Sequence, residues 1–127
     1  MIPERYAPQV YCIMREVFAL VYLVHGLQKL VGMFGGQVVP LASMLGVAAT
    51  IELGAGLLIL IGLFTKPAAF IASGEMAAAY FIAHFPRSPL PIMNGGEPAV
   101  LLCFGFLYIA ARGAGPWSVD ALRRRSA

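Results

Sequence analysis

Two glutamates stand alone in the middle of apolar segments that are each long enough to cross a membrane. Glu52 is the only charged residue in the segment 41–64, and Glu75 is the only one in the segment 67–85. About 20 helical residues span the hydrocarbon core of a bilayer. A carboxylate at that depth is costly unless it is neutralised, hydrated or paired. The pattern therefore predicts a polytopic membrane protein with a polar site inside it.

The composition and the turn residues favour the same class. Of the 127 residues, 60% are hydrophobic and 12% are charged, whereas soluble domains average about 45–50% apolar and 25% charged residues. Glycine- and proline-rich turns separate four apolar stretches, which predict spans over residues 10–31, 41–64, 67–85 and 97–111. We therefore expect an all-α fold, a single-domain integral membrane four-helix bundle over residues 1–127.

Basic residues predict the orientation of these spans. With four spans both termini share one side, and that side carries six basic residues: Arg5, Lys66, Arg112, Arg123, Arg124 and Arg125. Only Lys29 and Arg87 remain for the opposite side. Because basic loops stay in the cytoplasm, both termini are expected to be cytoplasmic, in the cell inner membrane. The basic tail is explained by topology and lipid, so no nucleic-acid partner is expected, and the tail can form a helix lying on the membrane surface.

Polar residues of the first span lie on one face of the helix. At 100° per residue, Arg15, Tyr22, His25 and Lys29 fall within an arc of about 80°. Small residues surround both glutamates on their own helices, which favours contact with another helix over contact with lipid. We expect this stripe to meet the glutamates, through a salt bridge from Arg15 or a hydrogen bond from Tyr22 or His25.

Each of these features also has a structural interpretation. The two glutamates can be structural and paired with Arg15, and Lys29 can extend its ammonium to the membrane interface. His84 lies half a turn around its helix from Glu75 and can cap the helix end. The segment 94–98, Asn-Gly-Gly-Glu-Pro, can be only a turn and a helix start.

The remaining histidine and cysteine pattern does not predict a metal or dithiol site. His25 and His84 can both come near the outer surface, but no ligand-spacing motif accompanies them. Cys12 and Cys103 form no C-x-x-C pair, which argues against a dithiol oxidoreductase.

Several separated motifs resemble the DoxX family of small four-helix membrane proteins. They are HGLQKL (25–30), GMFGG (32–36), ELGAG (52–56), IGLFT (61–65), GEMAAAY (74–80), NGGE (94–97) and GAGPWSVD (113–120). The resemblance covers nearly the whole chain and implies the fold. It also implies a link to redox enzymes, because family members include a small subunit of archaeal thiosulfate:quinone oxidoreductase. Others are linked in mycobacteria to a membrane complex with a superoxide dismutase and a sulfurtransferase.

The resemblance and the buried carboxylates together predict a redox-associated membrane subunit that interacts with a quinone and a partner oxidoreductase. In this hypothesis Glu52, Glu75 and His25 are catalytic residues that handle protons and charge. The quinone would be bound by five polar residues: His25, Lys29, His84, Asn94 and Glu97. The chain has no flavin, nicotinamide, haem or iron–sulfur motif, so it has no predicted intrinsic cofactor, and catalysis would need a partner or a diffusible quinone.

Two alternatives use the same residues differently. A proton- or ion-coupled transporter would use the buried carboxylates to bind its ion. A structural membrane anchor for soluble redox enzymes would use the basic tail as a docking surface. The oligomeric state does not follow from the sequence.

Overall fold

The computed structural model describes all 127 residues, and every regular element is helical. We number the α-helices in chain order: α1 Ala7–Val31, α2 Met44–Ile61, α3 Thr65–Ala79, α4 Pro91–Asn94, α5 Glu97–Arg112 and α6 Val119–Ser126. A π-helical turn, Tyr80–His84, continues α3. The predicted all-α fold is confirmed.

Four long helices form an antiparallel bundle, in which α1 packs mainly on α2, α3 packs mainly on α5, and α2 joins the two pairs by packing on α3. The short helices lie at opposite ends. We call the end with α6 and the N-terminus the tail end, and the end with α4 the loop end. By length and composition, Glu4–Val31 and Met44–Ile61 can each cross a membrane.

The exterior of the bundle is apolar, as a membrane protein requires. Large hydrophobic side chains such as Leu20, Leu57, Phe70 and Leu101 are each at least half exposed. In water such a surface would be an aggregation hazard, whereas in a bilayer it contacts acyl chains. The all-helical backbone keeps its hydrogen bonds internal, which is the condition for crossing lipid.

Small residues let the helices approach closely around the polar residues. At Gly26 of α1, a Cβ atom would come within 2.9 Å of the Leu53 side chain and 3.1 Å of the Ala49 carbonyl oxygen on α2. Without a hydrophobic driving force in lipid, close backbone contact of this kind is what holds helices together. The contact brings Glu52 directly against α1.

Local caps explain where the helices depart from the predicted spans. The second span is shorter than predicted because Ser43 caps its start, accepting from Gly46 N at 3.1 Å, and Gly62, at φ 72°, ends it. The third helix begins at Thr65, before the Pro67 expected from the sequence. Its first N–H groups are capped by Asp120, which lies 55 residues further along the chain.

Candidate functional site

A partly buried ion pair joins the last turn of α1 to α2. The Lys29 ammonium donates to Glu52 Oε1 at 2.6 Å. The Glu52 side chain is 1% exposed, whereas that of Lys29 is 28% exposed. The second carboxylate oxygen, Oε2, is buried and has no hydrogen-bond partner. The pair therefore holds two helices together and still leaves one strong acceptor unused.

A second polar contact joins α1 to α3. The Tyr22 hydroxyl, which is fully buried, donates to Glu75 Oε2 at 3.1 Å. The Tyr22 ring packs edge-on against Phe106 of α5, with 4.9 Å between the ring centroids. The ring is thus fixed by packing, and its hydroxyl is aimed at the carboxylate. We call Tyr22, Lys29, Glu52 and Glu75 the polar centre.

A cavity of about 320 Å³ lies between α2 and α3 beside the polar centre. Ten of its twelve lining residues are hydrophobic, and the two others are Lys29 and Glu75. Ile71 and Ile82 on its wall are each 54% exposed on the outside of the bundle. The cavity therefore opens toward lipid, and its polar groups are an ammonium and a carboxylate.

Only some residues of the stripe predicted on α1 contact the two glutamates. Tyr22 and Lys29 reach the glutamates, but no hydrogen bond joins His25 to either of them, and His25 does not line the cavity. The Lys29–Glu52 pair was not among the predicted contacts. The signal for it was present, because Lys29 lies on the stripe that faces the glutamates.

Arg15 does not make the predicted salt bridge to Glu52 or Glu75. Its guanidinium is fully buried and donates to backbone carbonyls, those of Ile59, of Leu60 at 2.8 Å and of Trp117 at 2.6 Å. Its one carboxylate contact is the neighbouring Glu16, at 3.4 Å. The seven residues from Arg15 to Tyr22 span about 10 Å of helix, so Arg15 lies at the tail end and binds the negative end of the α2 dipole.

Three other predicted ligand residues lie at the loop end. His84 Nδ1 contacts the Asn94 carbonyl oxygen at 3.1 Å. The Asn94 side chain is buried and donates to the Ser88 carbonyl at 2.7 Å and the Tyr80 hydroxyl at 3.2 Å. Glu97 is exposed in the first turn of α5. None of the three lines the cavity, and the Asn94 side chain instead joins the loop before α4 to Tyr80.

The cavity itself is the part of the site that sequence patterns do not reveal. Its walls are alanine, valine, isoleucine, leucine and methionine residues of α2, α3 and the π turn. The same residue types cover the rest of the exterior, so nothing in their order marks them as lining a cavity. No three histidine, cysteine, aspartate or glutamate side chains are grouped so as to hold a metal ion.

A helical bundle with an apolar exterior and a polar centre beside a lipid-facing cavity defines a small polytopic membrane protein. The sequence model of the DoxX family matches residues 10–85, and the chain belongs to that family. The matched segment contains the whole polar centre. The chain is also similar to an uncharacterized protein of Haemophilus influenzae, with 40% identity in an alignment of length 124 that covers 92% of each chain. No solved structure matches it.

Proposed function

We propose that the protein is a redox-associated membrane subunit that binds a quinone in the cavity between α2 and α3. The observation that carries the proposal is the composition of this cavity. It is apolar, it opens toward lipid, and its polar groups are the Lys29 ammonium and the Glu75 carboxyl. A quinone is a lipid-soluble molecule with an apolar tail and two carbonyl oxygens, so it enters from the bilayer and needs few polar contacts.

The residues of the polar centre have the chemistry that such a ligand requires. An ammonium has three N–H donors, and Lys29 gives one of them to Glu52, so others are free for a quinone carbonyl. Glu75 lines the same cavity and can exchange a proton with the ligand. Reduction to the quinol takes up two electrons and two protons. The partner oxidoreductase would supply the electrons, because the chain has no redox group of its own.

The volume of the cavity agrees with a site for the ring of a quinone. Ligand cavities commonly enclose about 300–1,000 Å³, and this one encloses about 320 Å³. That volume holds a substituted ring and the first part of a tail, while the rest of the tail lies in the bilayer. Polar residues at the loop end, including His84 and Asn94, are then outside the site.

Quinone binding to the purified protein in lipid nanodiscs tests the proposal. Ile82→Trp places a large ring in the cavity, whereas Leu101→Trp on α5 makes the same kind of change at an exposed site away from it. We expect Ile82→Trp to weaken binding of a short-tailed quinone by at least about tenfold, or about 1.4 kcal/mol. Leu101→Trp should bind as the wild type does. Equal binding by both variants would contradict a site in this cavity.

A proton- or ion-coupled transporter is the second candidate, and the unpartnered Glu52 Oε2 atom favours it. A buried carboxylate oxygen without a donor is an acceptor for a proton or a cation. Lys29 binds that carboxylate, is partly exposed, and lies in the last turn of α1. Ion or proton flux into proteoliposomes that contain this chain alone would favour transport, and flux should then be lost in Glu52→Gln.

The orientation belongs to the same proposal. Apart from Arg15 inside the first span, six basic residues near the tail end against two at the loop end support cytoplasmic termini in the cell inner membrane. Reporter fusions after Ala127 and within the segment 86–96 test this. A periplasmic signal from the C-terminal fusion would reverse the assignment.

A further inference from the structure

We infer that the tail end of the bundle carries a binding site for the headgroups of anionic phospholipids, formed by α6 and the residues just before it. The site is separate from the polar centre. Its support is independent of the proposed quinone function.

The tail is built as a fixed element of the fold. The Ser118 side chain caps α6, accepting from Ala121 N at 3.1 Å. The Asp120 carboxylate accepts from the N–H groups of Phe64 and Thr65, each at 3.0 Å, so it caps α3. These contacts hold α6 against the junction of α2 and α3. Its position is therefore defined before any ligand binds.

None of the three arginines of α6 forms a salt bridge with a carboxylate. Arg123 lies over the Phe64 ring, 5.0 Å from the centroid, while Arg124 and Arg125 are exposed. Neither of the two salt bridges of the chain involves α6. The acid in this helix, Asp120, already binds the start of α3. Guanidinium groups that are outside any salt bridge are complementary to phosphate.

Exposed apolar side chains lie beside these charges. Trp117 is 52% exposed, Phe64 is 54% exposed and Leu122 is 61% exposed. An indole and a basic helix at the end of membrane-crossing helices are typical of the headgroup level of a bilayer. A phospholipid offers a phosphate to the arginines and acyl chains to these side chains at once. A nucleic acid or an acidic protein surface would satisfy only the charges.

Trp117 provides the measurement, because it is the only tryptophan of the chain. The full-length protein is reconstituted in two bilayers, one with brominated phosphatidylglycerol in unlabelled phosphatidylcholine, and one with the labels exchanged. Bromine quenches Trp117 only when the labelled lipid lies beside it. We expect stronger quenching by the brominated phosphatidylglycerol at equal mole fraction.

The double variant Arg124→Gln/Arg125→Gln should lose that preference. Arginines near a membrane surface contribute about 1 kcal/mol each, so the relative binding constant should fall by up to about 30-fold. Arg124→Lys/Arg125→Lys should retain it, because the charge is kept. Arg87→Gln, at the loop end, is the matched control and should behave as the wild type does. Cooperative thermal melting of each variant in detergent checks that it is folded.

Three results would overturn the inference. Equal quenching by both labelled lipids in the wild type would mean that the tail end does not select anionic lipid. A preference retained in the double glutamine variant would mean that α6 does not carry it. A preference abolished by millimolar inorganic phosphate would assign the site to a soluble anion.

Discussion

Charged groups at the tail end and in the polar centre are stabilised in different ways. At the tail end, Arg15 places both terminal guanidinium nitrogens on backbone carbonyls, and Asp120 places both carboxylate oxygens on backbone N–H groups. In the polar centre, Glu52 and Glu75 each have one side-chain partner. Glu52 leaves an oxygen unbonded, and Glu75 lines a cavity.

The difference separates a structural role from a functional one. Charges that bind backbone groups at helix ends fix where those helices stop, and they have little capacity for a ligand. The Arg15 Nε atom also lacks a partner, but Arg15 does not line the cavity. Charges that bind other side chains and face an open cavity can change partner when a ligand arrives. The following substitutions test this contrast.

Arg15→Gln should have the largest effect on stability. It removes a fully buried cation and leaves the carbonyls of Ile59, Leu60 and Trp117 without their donor. A buried acceptor left without a donor costs about 1–3 kcal/mol, so the loss of three such contacts should cost about 3–5 kcal/mol in all. Thermal melting in detergent should show the loss, while Glu16→Gln, which alters the half-exposed neighbour, should melt within a degree or two of the wild type. An unchanged melting temperature for Arg15→Gln would mean that the tail-end network is not structural.

The Lys29–Glu52 pair should respond unequally to loss of either partner. Lys29→Gln leaves the 1% exposed Glu52 without its cation and should cost about 2–3 kcal/mol, since the carboxyl can take up a proton. Glu52→Gln leaves Lys29, which can reach water, and should cost about 1 kcal/mol. Melting of both variants side by side measures the asymmetry. The reverse order would show that Lys29 is the more deeply buried partner.

Asp120→Asn should give a smaller, pH-dependent loss. Burial opposes ionisation of this carboxyl, but hydrogen bonds from Thr65 and Phe64 and the charge of Arg123 outweigh it and lower the pKa of Asp120. A carboxyl with a lowered folded-state pKa stabilises the fold above its unfolded-state pKa of about 3.9, and that stabilisation disappears as the pH falls through the folded-state value. The substitution should cost about 1 kcal/mol at neutral pH, as for the loss of a helix cap.

The measurement for Asp120 is the difference in melting temperature between wild type and Asp120→Asn across pH. We expect a constant difference at neutral pH that shrinks below about pH 4. A difference that grows in acid would contradict the assignment of the carboxylate as the cap of α3.

Glu75→Gln should change stability least and activity most. The amide oxygen can still accept from the Tyr22 hydroxyl, so the free energy of unfolding should fall by less than about 1 kcal/mol. The amide cannot exchange a proton, so quinone-dependent activity with a partner, or ion flux, should be lost. Tyr22→Phe is the companion variant, because it removes the hydrogen bond and keeps the carboxyl. Loss of the folded protein in Glu75→Gln would make the polar centre structural, like the tail end.

Composition and spacing determined the class of the molecule. Four apolar stretches separated by glycine and proline can bury their backbone polar groups in lipid only as helices, so a helical bundle was the available solution. The lone glutamates could be placed inside it for the same reason, because small residues surround them and lipid excludes them. These inferences use local pattern and solvent alone.

Tertiary structure decided which polar groups meet. The α1 stripe contained Arg15, Tyr22, His25 and Lys29, and nothing in its spacing distinguished a partner of a carboxylate from a partner of a helix end. That choice depends on how deep each residue lies when α1 crosses α2 at Gly26. The cap that Asp120 gives to α3 and the cavity between α2 and α3 have the same origin, because each forms only when separate helices come into contact. Hydropathy is a property of each segment, whereas pairing, capping and cavities arise only when the segments pack.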